Sequence, residues 1–95
     1  MKMVTINGED FHTIAELHET LQQKLELPEF YGKNLDALWD CLAGMVELPL
    51  QMEWLNYDLS RERLGDKADQ VLGVLEEAQA EGNGFRIWVR DQVEE

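Results

Sequence analysis

"LPLQMEWL", residues 48–55, reads as a β-strand with Pro49 at its entrance, where a missing N–H is tolerable. Its neighbours decide what kind of sheet it joins. Upstream, "MVTI", residues 3–6, is apolar and β-branched and ends at Asn7-Gly8, the mark of a strand followed by a turn. Downstream, "FRIWV", residues 85–89, is a third strand. Between the first and second strands lie two helical patterns. In "TIAELHETLQQKL", Thr13 and Glu16 have capping-box spacing, and Ile14, Leu17, Leu21 and Leu25 make one helical stripe. Pro28 stops that helix, Gly32 loosens the loop, and Asn34 is a good N-cap for a second helix with Leu35, Leu38 and Leu42, closed by Gly44. Beyond the central strand a short helix is predicted over 58–64, ending at Gly65. A longer one follows over 67–81, with Val71, Val74, Leu75 and Ala78 inward and Gly82 closing it. Strands separated by helices require parallel crossovers, so the chain is predicted to be an α/β domain: a three-stranded parallel sheet packed with about four helices.

At 95 residues and 11.0 kDa the chain makes one domain spanning 1–95, with a frayed polar tail over 90–95. Its size scaling implies about 10,000 Å² buried on folding, enough for a core without staples. The one cysteine, Cys41, excludes an intramolecular disulfide and fits a reducing compartment. No signal-like apolar run opens the sequence, and no stretch approaches the roughly 20 apolar residues of a membrane span, so a soluble cytoplasmic protein is expected. Eight Lys and Arg against twenty Asp and Glu give a net charge of −12. That charge repels phosphate backbones and anionic lipid, which argues against nucleic acid and membrane as partners, and it attracts basic protein surfaces. The acids are unevenly placed. Between Lys33 and Arg61 there is no basic residue, while Asp36, Asp40, Glu47, Glu53 and Asp58 all fall there.

The second helix, "YGKNLDALWDC" over 31–41 and its continuation, has two unlike sides. At about 100° per residue, Leu35, Leu38 and Leu42 share one side with Cys41 beside them, and Trp39 lies at the boundary. Asp36, Asp40, Ala37 and Ala43 fall on the other. Two aspartates four apart repel by roughly 0.2–0.5 kcal/mol, and only Asp36 is close enough to the helix N-terminus to gain from its dipole. A solvated face would tolerate this. The small alanine neighbours add a second implication, because they let a concave partner approach and offer the carboxylates to a guanidinium-lined cleft.

The stretches "INGE", "LPEFYGKNLDALWDCL", "LPLQMEW" and "EEAQAEG" resemble the barstar family, intracellular inhibitors of secreted barnase-type ribonucleases, in matching order from Val4 to Val89. The resemblance implies a barstar-like fold, no cofactor, and a one-to-one complex of an otherwise monomeric protein with a basic secreted ribonuclease. In the family, the helix matching 34–43 and the loop before it plug the ribonuclease active site, their acids replacing RNA phosphates. On that pattern Asp40 matches the acid in the phosphate site, Asp36 a second acid at the cleft, and Glu77 a peripheral third. Gly32, Asn34, Leu35 and Trp39 match positions that shape the contact surface, with Ala37 and Ala43 on the same ridge. Complementary fields of this kind speed encounter toward ~10⁸–10⁹ M⁻¹s⁻¹ at low salt, an effect for which barnase and barstar are themselves the standard example. The sequence departs from the family at Phe30, where a tyrosine is usual, and at Met45, where a tryptophan is. Asn83 replaces the family's second cysteine, and Pro49 matches a cis-proline.

Other readings remain open at this stage. An enzyme would have to use Asp36 and Asp40 with His12, His18 or Cys41, too few ligands for a tight Mg²⁺ or Ca²⁺ site and no triad spacing, so neither catalytic nor metal residues are assigned. His18, near the middle of a helix, reads as a surface residue. Trp54 and Trp88 read as core or sheet-packing residues, leaving Trp39 as the interface tryptophan. A barstar-type immunity protein against a different nuclease, or an acidic module that binds through charge alone, fits the same ridge.

Overall fold

The computed structural model describes residues 2–91 of the chain. Strand β1 (Lys2–Asn7) runs into a single 3-10 turn (Gly8–Asp10), followed by α1 (Ile14–Leu25) and α2 (Leu35–Gly44). Then come β2 (Leu50–Leu55), α3 (Tyr57–Leu64), α4 (Asp66–Ala80) and β3 (Phe85–Val89). The three strands form one parallel sheet in the order β1-β2-β3, with Val4 opposite Met52 and Met52 opposite Ile87. This is the expected α/β architecture with four helices.

Period-2 alternation divides the sheet into two faces. Val4, Ile6, Leu50, Met52, Trp54 and Phe85 are buried and pack against the helices. Of the alternate set, Met3, Thr5, Arg86 and Trp88 are exposed and Gln51, Glu53 and Leu55 of the central strand are half-buried, so that face meets solvent. Trp88 therefore corrects the expectation of a core or sheet-packing residue in part: it lies on the sheet but outside the core. It falls in register with Glu53, on the outward set, and is 44% exposed. Trp54 is fully buried as expected, edge-on to both Phe11 and Tyr57, and its indole N–H donates to Ser60 Oγ at 2.9 Å. The Asn56 carbonyl oxygen and Ser60 Oγ leave no room for a side chain at position 8, where a Cβ would meet the Asn56 backbone and lie 2.6 Å from Ser60 Oγ, so Gly8 is required by this close approach.

Local signals place the helix ends. Thr13 Oγ1 accepts from Glu16 N at 3.1 Å, and Glu16 Oε1 returns to His12 N at 3.0 Å, one residue earlier than a strict capping box. Gly65 and Gly82 follow α3 and α4 with φ of 62° and 72°. Gly44 ends α2 as expected, as its last helical residue, and Met45 caps the helix in a right-handed conformation. Val74 is only partly buried, and Ala68 takes an inward place on α4 instead. The Leu48–Pro49 peptide is cis. The edge strand β3 is blunted by side chains, with Gln79 Oε1 accepting from Ile87 N and Asn83 Oδ1 from Phe85 N. Arg90, the first residue of the expected tail, donates its N–H to Trp54 O at 2.9 Å, and its guanidinium meets Glu53 at 3.0 Å. The rest of that expectation, over 92–95, lies outside the described residues.

Candidate functional site

The loop before α2 is held from beneath. Glu26 ends α1 in a left-handed conformation, Leu27 and Tyr31 are buried, and Gln22 Nε2 donates to Pro28 O at 2.9 Å. Tyr31 also binds His18, whose Nδ1 lies 2.6 Å from its hydroxyl. His18 is thus a buried residue and not the surface residue expected, because a partner thirteen positions away satisfies its ring. With Tyr31 anchored inward, its neighbours Phe30 and Gly32 are left outward, and Phe30 is 78% exposed.

Asn34 then starts α2 as the sequence predicts, its Oδ1 accepting from Ala37 N at 2.8 Å. Leu38, Cys41 and Leu42 are buried, and α2 packs against α4. Asp36, Asp40 and Ala43 are exposed, and Leu35, Ala37 and Trp39 are half-buried. Among the described residues, no hydrogen bond or ion pair engages the side chains of Asp36, Asp40 or Glu77. Asp40 leaves its mark on its neighbour: burial chiefly, and the Asp40 carboxylate next, push the Cys41 thiol above its ordinary pKa. Cys41 is accordingly a buried neutral thiol, 3.8 Å from Met45 Sδ.

All the predicted site residues except Asp36 and Glu77 line three hollows beside α2. Phe30, Gly32, Ala37, Asp40 and Met45 line one of about 160 Å³ with Tyr31 and Cys41. Two large apolar side chains, Phe30 and the 53%-exposed Met45, thus border a carboxylate that is unpaired among the described residues. Folding alone gives no reason to expose both there. On the other side, Trp39 and Ala43 line a groove of about 390 Å³ against Ala78, Glu81 and Asn83 of the α4 end. Asn34 and Leu35 line a third, of about 220 Å³, with Lys33, Lys67 and Gln70. Asp36 and Glu77 line none of the three and stand exposed on α2 and α4. Tyr31, Lys33, Glu81 and Asn83 also line these hollows, beyond the residues expected from the sequence. For Glu81 a signal existed, since it follows Glu77 at i+4 on the same helical face.

Among the described residues, no group of three or more His, Cys, Asp or Glu side chains could hold a metal ion, and no helix is long and apolar enough to cross a membrane. What the site offers is an acidic, partly apolar surface in which exposed Asp36, Asp40, Phe30 and Met45 lie on and beside α2. The family model described as Barstar (barnase inhibitor) matches residues 1–92 of this sequence. The chain belongs to the barstar family. A Bacillus subtilis (strain 168) protein named "Putative ribonuclease inhibitor YrdF" is 51% identical over 81 residues, covering 85% of this chain and 89% of the relative. The barstar-family sheet and helices and the cis peptide before Pro49 agree with what the resemblance implied for the fold.

Proposed function

We propose that this chain is a stoichiometric, non-catalytic inhibitor of a basic, secreted ribonuclease of barnase type, acting in the cytoplasm of the cell that makes the enzyme. Ribonuclease inhibition in general is supported by the family and by the relative's name. The barnase-type target and the plug mechanism rest on the site. The observation that carries them is Asp40: a carboxylate without a hydrogen-bond or ion-pair partner among the described residues, lining a hollow with exposed Phe30 and Met45.

In this reading α2 and the loop from Phe30 to Asn34 enter the active-site cleft. Asp40 takes the place of an RNA phosphate among arginine and histidine side chains, and Asp36 meets basic groups at the cleft wall. Glu77 makes a peripheral contact across α4. Phe30, Gly32, Leu35, Trp39 and Met45 supply shape and apolar area, while Ala37 and Ala43 keep the ridge low enough for close approach. Asn34 acts by fixing the start of α2. The free protein is a monomer and the complex one-to-one.

The test is a titration of a barnase-type ribonuclease with this protein at physiological salt, following RNA cleavage, beside Asp40→Ala. Activity should vanish at one equivalent. The substitution should weaken inhibition by about 3–5 kcal/mol, because it leaves buried cations of the enzyme unpaired. Full activity in the presence of folded wild-type protein would refute this target and direct the search to another nuclease.

A further inference from the structure

The contact loop also carries charge of the opposite sign. Lys33, between Gly32 and Asn34, and Lys67, in the first turn of α4, line the 220 Å³ hollow with Asn34, Leu35 and Gln70, over Ile14, His18 and Val71. Neither lysine is well compensated. The nearest carboxylate to Lys33 is Glu19, at a loose 3.7 Å, and Lys67 makes no hydrogen bond or ion pair among the described residues. In a chain with twenty acids and eight Lys and Arg, two such cations lining one hollow stand out against the prevailing field.

This matters because of where the hollow lies. Asn34 and Leu35 belong both to it and to the loop and helix start that enter the cleft under the reading above, on which this inference rests. Docking would carry Lys33 to the edge of the contact. Against a wholly basic surface its ammonium would be repelled, and any desolvation there would be uncompensated. Against a carboxylate it would make a charge-assisted hydrogen bond and fix the orientation of the two proteins.

We propose that the hollow between Lys33 and Lys67 receives an aspartate or glutamate side chain from the lip of the ribonuclease cleft, so that acids enter the enzyme while one acid of the enzyme enters the inhibitor. Such an exchange selects among ribonucleases: an enzyme with the same basic active site but no acid at that lip binds less tightly.

The sign of a charge reversal decides the matter. Affinity and dissociation rate are measured for a barnase-type ribonuclease with wild type, Lys33→Glu, Lys67→Glu, Asp40→Ala and Lys24→Glu. The last lies on α1 outside the hollow and controls for net charge. Urea midpoints, with Lys33→Gln and Lys67→Gln as milder variants, confirm folding. Expected is a loss of about tenfold or more for Lys33→Glu and Lys67→Glu, chiefly through faster dissociation, with Lys24→Glu unchanged or tighter. Binding by both hollow variants as tight as wild type, or tighter, would overturn the proposal. So would loss of inorganic phosphate binding in both with ribonuclease affinity intact, which would make the hollow a free-anion site. In either case inhibition that still depends on Asp40 would leave the plug standing, whereas a wild type that does not inhibit would remove both.

Discussion

His18 Nδ1 lies 2.6 Å from the Tyr31 hydroxyl, joining the middle of α1 to the loop that leads into α2. Both residues are buried, and the rings tilt at 53° with centroids 5.7 Å apart. Burial first, and the Lys33 charge second, hold the His18 pKa below its ordinary 6.5. The folded chain therefore keeps a neutral imidazole where the unfolded chain binds a proton. Stability from this group is complete above pH 6.5 and is lost as the pH falls through the lowered folded value. Acidification from about pH 7.5 to about pH 5 should lower the urea midpoint of the wild type more than that of His18→Gln, since carboxylate protonation affects both alike. Parallel pH profiles would show that His18 does not set this dependence.

Tyr31→Phe removes the other half of the pair. The buried imidazole then lacks its hydrogen-bond partner, at a cost of about 1–3 kcal/mol. Because Tyr31 sits between Phe30 and Gly32, the loss should also loosen the loop above it. The expected result is a lower urea midpoint with an unchanged slope, and faster amide exchange over 28–34. A midpoint equal to wild type would mean that the aromatic packing alone holds the loop.

Ser60→Ala tests the other buried polar pair. Trp54 and Ser60 are fully buried, and the indole N–H donates only to Ser60 Oγ among the described residues. Without the hydroxyl the indole donor is orphaned in the core. Stability should fall by about 1–3 kcal/mol, measured by urea unfolding, with no change in inhibition of a ribonuclease. An effect on inhibition at full folding would contradict the separation of this pair from the contact surface.

How much of this was legible beforehand follows from the range of each signal. The strand over 85–89, the N-caps Thr13 and Asn34, and the helix over 67–81, observed as Asp66–Ala80, depend on periodicity and capping within a few residues. Those signals are local and were readable. His18 and Trp88 were misplaced because their environments are not local. His18 is buried because the Tyr31 hydroxyl, thirteen positions away, meets its ring, and Trp88 faces outward according to its register with β2. The same holds at the candidate site. The acids on α2 were visible as a helical face, but the division of their neighbours among three hollows depends on how α2 meets α1 and α4. The Lys33–Lys67 pairing, thirty-four positions apart, had no sequence signal at all.

Asp36 and Asp40 allow stability and binding to be separated. Among the described residues neither carboxylate has a hydrogen-bond or ion-pair partner, and at i and i+4 they repel by roughly 0.2–0.5 kcal/mol. Asp40→Ala should therefore leave the urea midpoint unchanged or slightly raise it. Asp36→Ala gives up a helix-dipole interaction of about 0.3–1 kcal/mol while relieving the same repulsion, so it should be neutral or slightly destabilising. A residue kept for folding would behave in the opposite way, losing stability on truncation. If Asp40→Ala proves markedly less stable, the carboxylate has a structural duty, and its loss of inhibition would no longer identify it as the phosphate mimic. If it is as stable as wild type but inhibits far less well, the repulsion built into α2 is explained by what the helix meets outside its own chain.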